Sequence, residues 1–249
     1  MEVTIHPKDF SNLLRCLALL NNNCNDADIQ GGFLRQRSND KTTIIYEMDL
    51  TPLVSDCNIV LINIKSKLSL LRPLSKQEVK IKSTDDKISF LGERPGYEFG
   101  LPRREFLDNK FITNEELSNI FSLREDDVVF EYTIDKDTSR LMKVISSQFN
   151  IVSFQILFDG ETASIVGTTS SKNDHARIAQ HIPIRLPWKG FSNIVREPFF
   201  IDCDGDIFFK MYRIHDDRCI NKFRSSIGKI TAILYCRSQL IEETVGEAS

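Results

Sequence analysis

The run DCDGD places Asp202, Asp204 and Asp206 at alternate positions, a group of carboxylates that invites a metal-site reading. Oxygen donors so spaced are the chemistry of a hard cation such as calcium. A calcium loop counted from Asp202 needs glycine at its sixth position and a bidentate glutamate at its twelfth. Here glycine is fourth, as Gly205, and Arg213 is twelfth, so the run is read as a helix-capping turn. His6, His175, His181 and His215 are scattered, with no pair at ligand spacing. There is no P-loop, nucleophile elbow or HExxH, and the carboxylates of FDGE and REDD read as ordinary surface turns. The expectation is a protein that is not an enzyme and has no catalytic residue, metal or cofactor.

Lysine and arginine carry the more informative pattern. Four segments have helical spacing, and on each the cations share a face. Lys8 and Arg15 lie on Pro7 to Asn21 with Ser11 and Asn12, opposite Phe10, Leu13, Leu14 and Leu17. Lys65 and Arg72 share a face of Lys65 to about Leu74 with Ser69, and Lys67 lies nearby. Lys136, Arg140 and Lys143 recur on Lys136 to Phe149, apart from an expected apolar stripe of Leu141, Met142, Ile145 and Phe149. Lys210 and Arg213 belong to an expected short helix over Asp206 to Ile214. The four segments carry +1, +3, +2 and +1, a total of +7 on a chain of net charge -3, so the remainder carries -10. A basic helical face on an acidic remainder draws a polyanion to one surface and keeps it off the others.

The elements that hold these helices form a repeat. VTIHPKDFSNLLR at 3–15 and YTIDKDTSRLMKV at 132–144 both run from a strand ending in Thr-Ile, through a polar break, into a helix with arginine among its leucines. In the first half, strands are expected at Glu2 to Ile5, Asp28 to Arg35, Thr42 to Leu50, Asn58 to Ile64, Glu78 to Ser83, Lys87 to Leu91 and Tyr97 to Gly100. In the second they are expected at Glu131 to Ile134, Ile151 to Phe158, Thr162 to Thr169, His175 to Ile184, Phe199 to Asp202, Arg218 to Arg224, Lys229 to Arg237 and Gln239 to Thr244. Each half thus reads as strand, helix, three strands, helix, three strands. The charged stretch Leu101 to Asp127, with a short helix at Asn114 to Phe121, reads as a connector, giving units at 1–100 and 129–249 about a linker at 101–128. Arg185 to Pro198 has no counterpart in the first half and reads as an insertion, in which Trp188 serves local packing.

With 249 residues, 41% of them hydrophobic, the chain can build two cores. Cys16, Cys24, Cys57, Cys203, Cys219 and Cys236 occur singly, several in apolar runs, as expected of free thiols in a reducing, intracellular setting. No apolar stretch is long enough to cross a bilayer as a helix, and the N-terminus lacks a signal-peptide pattern, so neither membrane insertion nor secretion is expected.

The duplicated element order and the placement of charge resemble the DNA polymerase sliding clamps, or processivity factors, of the two-domain kind found in T-even-type phages, archaea and eukaryotes, where the clamp is proliferating cell nuclear antigen. The resemblance implies an α+β fold of two similar clamp domains, three subunits closing a ring with sheets outside and helices lining the hole. It implies sequence-independent encirclement of duplex DNA, faced by Lys8, Arg15, Lys65, Lys67, Arg72, Lys136, Arg140, Lys143, Lys210 and Arg213. It also implies a replicative polymerase and an ATP-driven clamp loader as partners, with client peptides near Leu101 to Asp127 and Leu240 to Val245, and the cytoplasm of a bacterial host if a phage encodes the chain. Two other readings stand beside it: a nucleic-acid-processing enzyme with an unrecognised carboxylate site, and a viral interaction or structural protein of duplicated α+β fold.

Overall fold

Short runs of β-branched and aromatic residues, punctuated by polar turns, set most of the chain into antiparallel strands. The computed structural model describes residues 2–40, 44–55, 57–84, 86–93, 96–100, 107, 111–169, 175–183, 189–195, 198, 201–215 and 217–243. The chain divides into two units: Met1–Phe121 with Asp202–Asp204 and Ser225–Ile233, and Ser122–Ile201 with Gly205–Arg224 and Leu234–Ser249.

The first unit opens with β1 (Glu2–Ile5) and α1 (Pro7–Leu20), whose Pro7 suits a first helical turn that has no partner for its N–H. Next come β2 (Ala27–Gln30), β3 (Phe33–Arg37), β4 (Ile44–Asp49), the single turn α2 (Thr51–Val54) and β5 (Ile59–Leu61). Helix α3 (Ile64–Leu71) runs on into a tighter turn at Arg72–Lys76, before β6 (Val79–Ser83), β7 (Lys87–Leu91) and β8 (Gly96–Gly100). The sheet order β1-β6-β7-β8 is antiparallel throughout. Phe10 of α1 rests on it, its ring 6.2 Å from that of Phe90, which is itself 5.9 Å from Phe99. The expected connector contributes Leu107 and Ile112 to this unit as buried residues, and the Ile112 N–H donates to the Arg35 carbonyl. Helix α4 (Asn114–Ile120) follows, started by a reciprocal cap in which Thr113 and Glu116 each accept the other's backbone N–H.

The second unit runs β9 (Val128–Ile134), α5 (Lys136–Phe149), β10 (Ile151–Phe158), β11 (Thr162–Thr169), β12 (His175–Pro183), β13 (Lys189–Val195), β14 (Ile207–His215), β15 (Arg218–Ile227) and β16 (Ile230–Glu243), the last two straddling the division between units. Strands pair in the orders β12-β11-β10-β13-β16 and β9-β14-β15. At the β10–β11 turn Asp159 accepts the N–H groups of Glu161 and Thr162 and the Thr162 hydroxyl, and Thr162, the stronger influence, helps pull the carboxyl down to about 2. The core is aromatic: Phe130 meets Phe158 and Phe209 edge-on at 5.6 Å, and Phe209 stacks on Phe223 at 4.6 Å.

Five expectations are corrected. The apolar run Asp28 to Arg35 is two strands, because Gly31 and Gly32 take φ of 56° and 78° and turn the chain back between β2 and β3. Part of the expected insertion is a strand: β13 pairs with β10 and β16, while Trp188 lies outside the described residues. Asp202 is not in a strand; 201–206 is irregular, and Phe199 and Phe200 lie outside the described residues. DIFFKMYRI, expected as the fourth helix, is strand β14. Its Ile207, Phe209 and Met211 alternate into the core, a period of two that offsets the helical spacing of Lys210 and Arg213. The two strands expected at 229–237 and 239–244 are then one, β16.

The alternation along β14 gives a direct check. Phe209 is 1% exposed and Phe208 55%. Phe209→Ala is expected to lower the unfolding free energy by about 3–5 kcal/mol in urea titration, and Phe208→Ala by less than about 1 kcal/mol.

Candidate nucleic-acid interface

Helix α5 brings three of the expected cations together. Asp135 caps it, accepting the N–H groups of Asp137 and Thr138 at 3.0 and 2.8 Å. The Thr138 hydrogen bonds hold the Asp135 carboxyl below its usual range. Asp206 accepts the Lys136 N–H at 3.3 Å, so a carboxylate of the DCDGD run does serve a helix N-terminus, that of α5. Asn150 ends the helix at φ 52°. Lys136, Arg140 and Lys143, spaced i, i+4 and i+7, lie along one side. Arg140 and Lys143 are exposed, Lys136 is half-buried, and Arg140 makes an exposed i,i+3 pairing with Asp137 at 3.3 Å.

The buried side of α5 is not the stripe expected. Met142 is buried and Ile145 half-buried, but Ser139 and Ser146 take the other inward positions, and Leu141 and Phe149 are exposed. Sequence hydrophobicity alone could not reveal this, because serine is small enough to sit against a sheet although its residue type is polar.

In the first unit Lys8, Lys65 and Arg72 are exposed on α1, on α3 and at the turn that continues α3. Lys67 is half-buried with its ammonium 4.0 Å from the centre of the Phe99 ring, a cation–π contact. Asn12 and Arg15 do not face open water as expected. Asn12 is 5% exposed, and Arg15 is held in a hydrogen-bonded network. The Arg15 Nε–H donates to Asp202 at 3.2 Å, Nη1–H to both Asp204 oxygens at 3.0 Å and to Asn12 Oδ1 at 3.1 Å, and Nη2–H to the Asp202 carbonyl at 2.7 Å. Asp204 also accepts the Gly228 N–H at 2.6 Å. Burial opposes the charge on Arg15, yet the hydrogen bonds to Asp204 and Asp202 outweigh it and raise its pKa. Asp202 and Asp204, the candidate metal ligands, are thus a guanidinium site.

Lys210 and Arg213 are also committed elsewhere, on a strand. Lys210 donates to Glu125 at 2.7 Å, which raises its pKa, and lies 3.6 Å from Glu131. Arg213 meets Glu242 at 2.7 Å. Of ten expected cations, six are accessible: Lys8, Lys65 and Arg72 in the first unit and, in the second, Arg140 and Lys143 with Lys136 half-buried. Among the described residues no group of three His, Cys, Asp or Glu side chains could hold a metal ion. No helix there is long and apolar enough to cross a membrane.

The sequence matches no protein-family profile and no curated protein. Solved structures are similar over nearly the whole chain. The proliferating cellular nuclear antigen of Entamoeba histolytica is 12% identical with a TM-score of 0.59, the match covering 95% of this chain and 98% of that one. The PCNA of A. fulgidus, solved with the C-terminal region of FEN-1, is 12% identical with a TM-score of 0.61, covering 97% and 99%. The PCNA2–PCNA3 complex of Sulfolobus tokodaii is 10% identical with a TM-score of 0.63, covering 96% and 99%. The fold is that of a PCNA-type sliding clamp.

Charge-assisted hydrogen bonds make Arg15 structural in a way that Arg140 is not. Arg15→Ala is expected to reduce stability by about 1–3 kcal/mol in chemical denaturation, and Arg140→Ala by less than about 0.5 kcal/mol. Arg15→Lys should recover only part of the loss, because a single ammonium cannot span both carboxylates and the Asp202 carbonyl.

Proposed function

We propose that this chain is a sliding clamp, a non-enzymatic ring that encircles duplex DNA and tethers a replicative polymerase and other DNA-processing proteins. The observation that carries the reading is the clamp fold over at least 95% of this chain and 98% of each similar structure. Two clamp domains at 1–100 and 129–249, joined by a connector at 101–128, form the subunit. Three subunits form the ring, and an ATP-driven loader places it on DNA. Two of the similar structures support the partner classes: one is a PCNA with the C-terminal region of FEN-1, the other a complex of two PCNAs. The six cysteines, all buried as thiols, suit a reducing intracellular compartment.

Lys8, Lys65, Arg72, Lys136, Arg140 and Lys143 face the DNA. Phosphate contacts carry no sequence information, and each is weak in salt, so a ring held by topology slides instead of sticking. Lys67 is held on the Phe99 ring, while Arg15, Lys210 and Arg213 stabilise the scaffold. The enzymatic alternative depends on Asp202 and Asp204, whose oxygens are engaged by Arg15, and so has no supporting observation.

Equilibrium sedimentation is expected to give a particle near three times 28.6 kDa. The triple change Lys136→Glu, Arg140→Glu, Lys143→Glu should leave that mass and the fold intact while reducing processive synthesis by about tenfold or more. Unchanged processivity would show that α5 does not face DNA, and a strictly monomeric wild type at micromolar concentration would count against the ring.

A further inference from the structure

The sheet β9-β14-β15 has a second face. Phe209, Met211 and Phe223 are buried on its core side, and the residues between them point the other way. There Phe208 is 55% exposed, in register with Thr133 of β9 and Arg224 of β15. Two residues along, the row is Glu131, Lys210 and Lys222. Cations set directly opposite repel. Lys210 is met by Glu125 and Glu131, whereas Lys222 has its ammonium 5.7 Å from the centre of the Tyr235 ring. Arg224 is exposed, as is Arg237, which lies two residues beyond Tyr235 on the same face.

This face is turned away from α5. On the core side Phe130 meets both Phe209 and Phe158 of β10, the strand on which α5 packs. In the ring proposed above, α5 lines the hole and the subunits join at their flanks. The Phe208 face then lies on the outer wall, clear of both.

We infer that the Phe208 face binds single-stranded DNA, with a base stacked on the Phe208 ring and neighbouring phosphates on Arg224 and Lys222. An exposed ring on a flat sheet, flanked by cations, is suited to a strand whose bases are unpaired; in a duplex the bases stack on one another and offer no free face. Arg224 and Lys222 are two residues apart on β15, roughly 7 Å along the strand, a step that adjoining phosphates of an extended chain can span. Charge selects a polyanion: Lys222, Arg224 and Arg237 add three cations to the face, and its acid Glu131 is engaged by Lys210. The choice of DNA rests on the clamp reading, because a duplex threaded through the hole continues at a polymerase into single-stranded template. The pairing of ring and cations stands without it.

Fluorescence anisotropy tests it on the full chain. The probe is a labelled oligothymidylate of about twelve nucleotides, and its control is an abasic strand of equal length and charge. The inference expects saturable binding of the oligothymidylate, about tenfold or more tighter than of the abasic strand, and a loss of about tenfold or more on Phe208→Ala with Arg224→Glu. That pair should keep its sedimentation mass and its retention on circular duplex. The triple α5 change to glutamate should bind the oligonucleotide within about threefold of wild type. Arg224→Glu alone, at an exposed position, should lose about threefold or more and tests the face should the pair fail to fold. Equal binding of the abasic strand, or binding indifferent to both Arg224 variants, overturns the inference. So does a loss on the α5 variant as large as on the pair, which would place the strand in the hole. A fall in sedimentation mass of the pair, placing a second copy on this face, or tighter binding of the matching oligouridylate, making the ligand RNA, overturns it as well. A chain that binds the oligonucleotide as expected but never loads on circular duplex would sink the clamp reading alone.

Discussion

Arg15 ties helix α1 to carboxylates 187 and 189 positions further along the chain, and the first unit depends on that closure. Five hydrogen bonds at 2.7–3.2 Å use nearly the whole donor set of one guanidinium, and Asp204 extends the network to the Gly228 N–H. The Asp204 N–H in turn donates to the Ser226 carbonyl at 2.9 Å, so residues 202–204 and 226–228 are fixed together on the helix. A lysine would supply the charge without the fork geometry, which is why the residue type matters more here than its sign.

That closure explains why the two copies of the opening motif part company. On α1, an asparagine and an arginine receive chain on one side, while Phe10, Leu13 and Leu17 meet the sheet. On α5, serines replace Phe10 and Leu17 inward, an aliphatic pair replaces the polar pair outward, and three cations take one side. Duplication has kept the helix and its capping position but divided the work: one helix joins parts of a unit, and the other presents surfaces.

Much of the architecture is legible in the sequence because its strongest signals are local. Helices α1 and α5 have long amphipathic patterns, and the hairpins at Thr84 to Lys87 and Asp159 to Thr162 have turn residues that bond their own backbone. Three features resist that approach. In β14, Phe208, Phe209, Tyr212 and Ile214 suit either period, and only pairing with β9 and β15 decides for the strand. The fate of Arg15 depends on acids far away in sequence, which no periodicity encodes. Leu141 and Phe149 read as core because they are apolar, and only the packed sheet reveals that serines sit inward in their place. On α5 the three cations keep the spacing that the helix sets, with Arg140 and Lys143 exposed and Lys136 half-buried.

The central claim is topological, so the most direct measurement compares two DNAs that differ only in topology. After loading, labelled protein is followed by gel filtration on nicked circular duplex and on the same duplex cut once by a restriction enzyme. A sliding ring stays with the circle in high salt and is lost from the linear form through its ends. Equal loss from both, or equal retention on both with the salt dependence of simple phosphate binding, would contradict encirclement.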